Sequence, residues 1–144
     1  MEPHYYNVNL KWMEARKGEI SSPELSSNIE IATPPQFPNG IENIWSPEHL
    51  LTAAVNSCFM TTFLAIAANS HLDFVSFNCD SKGKLEQIDG KFLMSEIILE
   101  PMLVLKNEAD KEKAERILQR SEAACLISNS IKSKVTLITN IQLN

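Results

Sequence analysis

The feature that most constrains this chain is a stretch, residues 49–72, that contains no Asp, Glu, Lys or Arg. The stretch is long enough to span a membrane as a helix. Its many Thr, Asn and Ser residues argue against a segment embedded in lipid. We therefore predict a helix that is buried on nearly all of its faces. A chain of 144 residues cannot easily cover every face of such a helix, so the stretch favours a homodimer whose central helices pack together.

The residues just before this stretch are typical of a helix N-terminus. Ser46 is a good N-cap, and Pro47 suits the first helical position because its missing N–H would have no partner there. Glu48 places a carboxylate in the first turn, where the helix dipole is positive. The helix is therefore predicted to begin at Ser46-Pro47.

The other elements are mostly strands. Alternating apolar and polar residues predict strands at 5–13, 27–31, 74–88, 92–105 and 135–141. Turns are predicted at Lys17-Gly18 and Asp89-Gly90, and the prolines of residues 34–46 mark a loop. A second helix is predicted at 110–124, with Ala114, Ile117, Leu118 and Ser121 on one face. Hairpins and helices in this order indicate an α+β fold with antiparallel sheets around the long helix.

The composition and charge of the chain argue for one domain and against some classes of partner. No repeat, linker or low-complexity segment divides the chain, so we predict a single domain over residues 1–144. A net charge of −5 argues against a nucleic-acid or anionic-membrane partner. The N-terminal residues do not resemble a secretory signal, and we expect a cytoplasmic protein.

Three cysteines, Cys58, Cys79 and Cys125, are the candidate chemical groups. An odd number of cysteines in a chain of this kind argues against a structural disulfide framework. Buried, unreactive thiols and reactive thiols both remain open on this evidence. The three histidines lie far apart without the spacing of metal ligands, and no phosphate-binding loop is present, so neither a metal nor a cofactor is expected.

Two motifs resemble those of the OsmC/Ohr family of thiol peroxidases, related to osmotically inducible protein C and the organic hydroperoxide resistance protein. In the first motif, Pro-Glu is followed by Leu two residues after the Glu, and by Cys-Phe ten and eleven residues after it, here Pro47 to Phe59. In the second, a helix ends in Cys followed shortly by Ser-Asn, here Cys125 to Asn129. The resemblance covers nearly the whole chain, and it implies an OsmC-like fold and an intertwined homodimer.

The resemblance implies a cysteine-based peroxidase that reduces organic hydroperoxides. Cys58 resembles the peroxidatic cysteine, which becomes a sulfenic acid, and Cys125 resembles the resolving cysteine, which forms a disulfide with it. A dithiol reductant, lipoyl-type or another, then restores both thiols. The family often has proline directly after the resolving cysteine, where this chain has Leu126. Cys79 matches no family role, and we interpret it as a packing residue.

Arg16 and Glu48 resemble the assisting Arg and Glu of the family. The attacking species is a thiolate, and burial among apolar side chains would oppose its formation at Cys58. A guanidinium from Arg16 would stabilise it, with Glu48 holding that guanidinium. Ten residues of continuous helix separate Glu48 from Cys58 by about 15 Å. Either the helix breaks, or Glu48 comes from the partner chain; we predict composite sites at the subunit interface.

Apolar residues around Cys58, including Phe59 and Phe63, are expected to line the substrate site. Such a lining would favour alkyl or lipid-like hydroperoxides over hydrogen peroxide. The alternative is a non-catalytic OsmC-like dimer that binds an apolar small molecule. Peroxide-dependent disulfide formation separates the two hypotheses, because a binding module needs neither thiol.

Overall fold

The chain forms seven strands and two α-helices, and their order along the sequence is typical of an α+β fold. The computed structural model describes residues 1–144, and their contacts fall into two units, 1–50 and 51–144. The first unit contains an antiparallel sheet of β1 (Asn9–Glu14), β2 (Lys17–Ser21) and β3 (Ile29–Ala32). Helix α1 (Pro47–Asn69) leads into the second unit. The second unit continues with β4 (Phe74–Ile88), β5 (Lys91–Leu105), α2 (Lys111–Ala123), β6 (Lys134–Leu137) and β7 (Asn140–Leu143).

The first hairpin turns two residues earlier than predicted. Lys17 and Gly18 lie inside β2, paired with Glu14 and Trp12, so the predicted Lys17-Gly18 turn is wrong. The turn is formed instead by residues 15–16, and Ala15 has a positive φ of 47°. The indole N–H of Trp12 donates to the Ala15 carbonyl at 3.0 Å. This side-chain bond stabilises a conformation that the residue types alone do not favour.

Helix α1 begins as predicted. Ser46 Oγ accepts a hydrogen bond from the His49 N–H at 3.2 Å, and the Ser46 carbonyl accepts the first helical bond from Leu50 at 3.0 Å. The helix ends at Asn69, three residues before the end of the uncharged stretch. One of its last carbonyls, that of Ala67, accepts a hydrogen bond from the Leu72 N–H at 2.9 Å.

One stripe of α1 packs into the core of the second unit. Val55, Phe59, Phe63 and Ala67 recur every four residues and have at most 1% of their surface exposed. The rings of Phe63 and Phe77 of β4 stack with centroids 4.7 Å apart. The stripe identifies α1 as a core helix, although by length and composition alone it could cross a membrane.

The rest of α1 is less covered than the sequence predicts. Met60 and Leu64 are 39% and 42% exposed, so the helix is buried along one side and not all round within this chain. The reason is geometric: the sheet of the second unit covers only the side of the helix that faces it. The uncovered side is mixed: Met60 and Leu64 are exposed there together with the polar Ser57 and Thr61.

Two contacts fix α1 against β4. The side-chain amide of Asn56 donates to the Cys79 carbonyl at 2.9 Å. At Gly83 the helix approaches so closely that an added Cβ would lie 2.1 Å from Thr52 Oγ1 and 2.7 Å from Met94 Cε. A residue without a side chain is therefore required where α1 crosses the strand.

The second sheet is mixed. β4 and β5 form the long antiparallel hairpin predicted from the sequence, with positive φ at both Asp89 (51°) and Gly90 (77°) in its turn. The predicted final strand, 135–141, is two strands, β6 and β7, which pair with successive parts of β5. Both pairings are parallel because the chain returns to β5 through α2, whereas the sequence analysis predicted antiparallel sheets throughout.

Helix α2 covers this sheet with the face that was predicted for it. Ala114, Ile117, Leu118 and Ser121 are all buried. Their opposite face carries most of the charged residues of the helix, as a surface helix requires.

We predict that Gly83→Ala lowers the free energy of unfolding by about 1–3 kcal/mol, because the new Cβ overlaps Thr52 and pushes α1 away from β4. Urea unfolding measures the change. Gly90→Asn is the matched control: nothing lies within 4 Å of its Cβ position, and Asn tolerates a positive φ. Equal stability of the two variants would contradict the close approach of helix and strand.

Candidate active site

Two of the three cysteines lie together in the second unit. Cys58 is on α1, directly before the buried Phe59, and is partly exposed. Cys125 follows the end of α2 and is fully buried. The two thiols are close enough to influence each other's pKa: the Cys125 thiol lowers the pKa of Cys58, and Cys58 raises the pKa of Cys125. Both are free thiols, so this is the arrangement of a dithiol site in its reduced form.

The turn after α2 holds Cys125 in place. The Cys125 N–H donates to the Glu122 carbonyl at 3.2 Å, and its carbonyl accepts from the Asn129 N–H at 3.0 Å. The side-chain amide of Asn129 reaches back to the Ala123 carbonyl at 3.1 Å. The Ser-Asn pair of the second sequence motif therefore has a structural role, because Asn129 caps the helix that ends at the cysteine.

The Cys58 thiol is more acidic than an ordinary cysteine. Partial burial acts to raise its pKa. Hydrogen bonds from the Ile127 N–H, the Cys125 thiol, the Thr62 hydroxyl and the Leu126 N–H act in the opposite direction and prevail, so that the pKa of Cys58 lies below its usual value. The Thr62 hydroxyl lies one helical turn from Cys58, with its oxygen 4.0 Å from the sulfur.

The Cys125 thiol is less acidic than usual. Burial is the main cause of its raised pKa, and the neighbouring Cys58 thiolate adds to the rise. The side chain and the N–H of Ser128 oppose the rise without cancelling it. The two thiols thus differ in acidity in the direction that makes Cys58 the nucleophile and keeps Cys125 protonated beside it.

Cys79 is chemically different from the other two. It is in β4, with Asp80 next in the chain and Glu100 on the paired strand. Burial raises the pKa of its thiol to about 11, and the carboxylates of Asp80 and Glu100 add to the rise. A backbone hydrogen bond from Glu100 opposes the rise without cancelling it.

The other predicted site residues lie in the first unit. Arg16 is exposed in the β1–β2 turn, and its carbonyl accepts from the Thr33 N–H at 3.2 Å. Glu48 is in the first turn of α1, with its Oε2 atom buried. Helix α1 is continuous through Glu48 and Cys58, so the break considered from the sequence is not found.

Phe59 and Phe63 are in the core. Neither side chain has exposed surface, and both pack against Phe77 of the sheet. Within this chain they support the position of α1 and do not line an open surface. Leu126, which follows Cys125 in the chain, is an exposed apolar residue with 69% of its surface accessible.

Sequence analysis missed the groups that act on Cys58 most directly. Thr62 could have been found, because residues four apart share a helix face. The backbone N–H groups of Leu126 and Ile127 carry no signal in residue type. Only the folded turn brings them to the sulfur.

Comparison with known proteins gives one consistent answer. The model of the OsmC-like protein family matches residues 40–140. The chain is 28% identical over 142 residues to YmaD of Bacillus subtilis, an uncharacterized protein, covering 95% of this chain and 93% of the other.

Solved structures show the same fold. An OsmC-like protein of unknown function from Vibrio cholerae superposes with a TM-score of 0.85 at 21% identity, covering 95% of this chain and 99% of that one. An organic hydroperoxide resistance protein from Legionella pneumophila gives a TM-score of 0.77 at 17% identity, with 99% of each chain covered. OhrB of Bacillus subtilis gives 0.65 at 20% identity, with 98% of each chain covered.

The acidity of the three thiols predicts an order of alkylation. At neutral pH, a thiol with a pKa of about 11 is a thiolate in only about one molecule in ten thousand. Limiting iodoacetamide should therefore modify Cys58 far faster than Cys79, as measured by residue-resolved mass spectrometry. The Cys79→Ser variant should show the Cys58 rate of the unmodified protein. Modification of Cys79 at the rate of Cys58 would contradict the environment described for β4.

Proposed function

The chain belongs to the OsmC-like protein family, and we propose that it is a thiol peroxidase that reduces organic hydroperoxides with Cys58 and Cys125. Family membership and structural neighbours named organic hydroperoxide resistance proteins support a peroxidase-like role. The observation that supports the specific mechanism is a pair of neighbouring free thiols in which the pKa of Cys58 is lowered and that of Cys125 is raised.

The proposed reaction has three steps. The Cys58 thiolate attacks the hydroxyl oxygen of the hydroperoxide and the O–O bond breaks; Cys58 becomes a sulfenic acid, and the alkoxide leaves and takes up a proton to form the alcohol. Cys125 then attacks the Cys58 sulfur and loses its proton, a disulfide forms, and the hydroxyl leaves as water. A dithiol reductant restores both thiols by exchange and becomes a disulfide itself.

The protein makes the Cys58 thiol more acidic and holds Cys125 near it. Only a thiolate attacks a peroxide at a useful rate, and the donors around Cys58 increase its thiolate fraction at neutral pH. Cys125 lies near enough to Cys58 for each thiol to influence the pKa of the other, and this proximity favours resolution of the sulfenic acid. The exposed side chain of Leu126 offers an apolar surface for the alkyl group of the substrate.

We propose further that the active form is a homodimer with sites shared between subunits. Strand β1 is exposed along its whole length, and Leu10 and Trp12 are 70% and 72% exposed. Met60 and Leu64 add an apolar surface on α1. Surfaces of this kind are unfavourable in water, and a second copy of the chain would cover them.

The same dimer accounts for Arg16 and Glu48. The Arg16 side chain lines a groove of about 450 Å³, formed mainly by apolar residues of the first unit. In the proposed dimer the partner's Arg16 approaches the Cys58 thiolate and is held by the partner's Glu48, because Glu48 of the same continuous helix is about 15 Å from Cys58. A guanidinium suits this position because it stays charged when it is desolvated. A cytoplasmic location agrees with three free thiols and stays a prediction.

A peptide map tests the peroxidase cycle. We expect one equivalent of an alkyl hydroperoxide, added to the reduced protein, to produce a Cys58–Cys125 disulfide that is found by non-reducing mass spectrometry. Cys58→Ser should abolish the disulfide. Cys125→Ser should instead accumulate a Cys58 sulfenic acid that a dimedone probe captures.

The Cys79→Ser variant is the control for this experiment and should form the same disulfide at the same rate. Thiols that remain unchanged after minutes of exposure would contradict the peroxidase function. In that case a non-catalytic dimer that binds an apolar small molecule would be the better account.

Mixed dimers test whether Arg16 acts across the interface. We expect Arg16→Ala to lower kcat/KM by at least about tenfold, because it removes a charge that stabilises the thiolate. A heterodimer of one Arg16→Ala subunit and one Cys58→Ser subunit, purified by two different tags, should regain about half the activity of the unmodified dimer. One of its two sites then has both groups intact.

The matched control is a heterodimer of Cys58→Ser and Cys125→Ser subunits. It should stay inactive in turnover, because both cysteines of a site come from one chain. Inactivity of the Arg16→Ala and Cys58→Ser heterodimer as well would mean that Arg16 serves its own subunit.

A further inference from the structure

One hydroxyl group of α1 departs from the pattern that helix hydroxyls usually follow. Serine and threonine inside a helix commonly donate to a carbonyl of the preceding turn. Ser57 and Thr61 do so, to the Ala54 and Cys58 carbonyls at 3.3 and 3.0 Å. The hydroxyl of Thr62 instead contacts the Cys58 sulfur, with its oxygen 4.0 Å away. Thr62 is therefore directed at a side chain that carries chemistry, and not at the backbone.

The geometry of α1 fixes this contact. Thr62 is four residues after Cys58, and side chains of a helix lean toward its N-terminus, so the Thr62 side chain points back at the turn that carries the thiol. Each of the two residues directly precedes a fully buried phenylalanine, Phe59 or Phe63. Both rings pack against Phe77 of β4, with centroids 6.0 and 4.7 Å away. Because these rings hold the helix in place, the contact does not depend on a loop.

The charge on the sulfur decides which atom donates. With a neutral thiol, either the sulfur or the hydroxyl can be the donor. A thiolate has no proton, and then the hydroxyl must donate. Hydrogen bonds to a charged acceptor are shorter and stronger than those between neutral groups. The contact should therefore tighten when Cys58 loses its proton, which agrees with the direction in which the Thr62 hydroxyl changes the pKa of Cys58.

We infer that Thr62 is a positioning residue for Cys58, whose hydroxyl donates to the thiolate and so promotes the attack on the peroxide but not the later formation of the disulfide. The inference rests on the proposed function for its catalytic meaning, although the hydrogen bond itself requires no peroxide. The restriction to one step follows from charge. After the attack the Cys58 sulfur is part of a neutral sulfenic acid, and the charged acceptor is gone.

Removal of the hydroxyl with little change of shape tests the inference. Thr62→Val keeps the branched Cβ at a position that is only partly buried, so the fold should be retained. In a Cys79→Ser background, we expect Thr62→Val to raise the midpoint of the pH profile of Cys58 alkylation by iodoacetamide by about half a unit. Below that midpoint the alkylation rate should fall about threefold. Thr62→Ser restores a hydroxyl and should restore the midpoint.

Thr61→Val is the matched control, because it removes a neighbouring hydroxyl that is bonded to a backbone carbonyl. It should leave the midpoint unchanged. Cys125, the titratable group that influences Cys58 from outside α1, is the same in every variant, and residues 49–72 contain no Asp, Glu, Lys or Arg. An unchanged midpoint in Thr62→Val would overturn the inference. Equal shifts in the two valine variants, or in Thr62→Val and Thr62→Ser, would overturn it as well.

Single-turnover kinetics test the restriction to one step. In a Cys125→Ser background, where the cycle stops at the sulfenic acid, Thr62→Val should slow dimedone-detected oxidation of Cys58 by an alkyl hydroperoxide about threefold at pH values below the midpoint. With Cys125 present, the conversion of the sulfenic acid to the disulfide should keep its rate. A conversion that slows as much as the attack would contradict the assignment of Thr62 to the attack.

The outcomes separate this inference from the proposed function. If the alkylation midpoint shifts as expected but peroxide produces no disulfide, the hydrogen bond to the thiolate stands and the peroxidase function fails. If the disulfide forms but Thr62→Val has the midpoint and the rates of Thr61→Val, the function stands and the role of Thr62 is wrong.

Discussion

The packing of α1 on the β4–β5 hairpin is the constraint on which the rest of the second unit depends. A long helix without charged residues must bury apolar surface, and here it buries the stripe that runs from Val55 to Ala67. Cys58 precedes Phe59 of that stripe, so the position of the thiol at the edge of the core follows from the packing. At this edge the sulfur is partly desolvated and still within reach of N–H groups from the turn after α2.

The two thiols are neighbours but differ in pKa. In the proposed cycle this difference decides which thiol attacks the peroxide first. Burial raises the pKa of both, while the N–H donors compensate only at Cys58. Cys125 therefore remains protonated and donates to the thiolate. Once Cys58 has become a neutral sulfenic acid, the negative charge that helped to raise the pKa of Cys125 is gone. The resolving thiol becomes easier to deprotonate at the step in which it must attack.

Sequence reasoning reached the elements that depend on periodicity and capping. The start of α1 at Pro47, the long hairpin with its turn at Asp89-Gly90, and the buried face of α2 all follow from local chemistry, and the structure confirms them. The sequence-based predictions were wrong where tertiary contacts determine the local structure. The turn at Ala15 depends on the Trp12 side chain, and the division of the last strand into β6 and β7 depends on pairing with β5.

In the candidate site, too, some features follow from the sequence and others depend on tertiary contacts. Cys58 and Cys125 could be paired through a family resemblance; in the structure the two thiols influence each other's pKa, and their pairing in a catalytic cycle stays a prediction. Phe59 and Phe63 lie next to Cys58 or within two helical turns of it, yet their side chains face the core. Apolar residues near a reactive group in sequence do not necessarily face it. The backbone donors at 126 and 127 lie beyond sequence reasoning because every residue except proline has an N–H.

In the proposed site, backbone donors of the same chain and a guanidinium of the partner would stabilise the same thiolate at different costs. The N–H groups of the turn are positioned when one chain folds, and further assembly adds nothing to them. A guanidinium supplied by a second chain is present only in the assembled dimer, so its contribution depends on protein concentration. In the proposed dimer, the single chain would have an acidic thiol, and the assembled protein would add the charge that completes the site. Reactivity toward an alkylating agent and activity toward a peroxide would then respond differently to dilution, because only the second depends on the partner's Arg16.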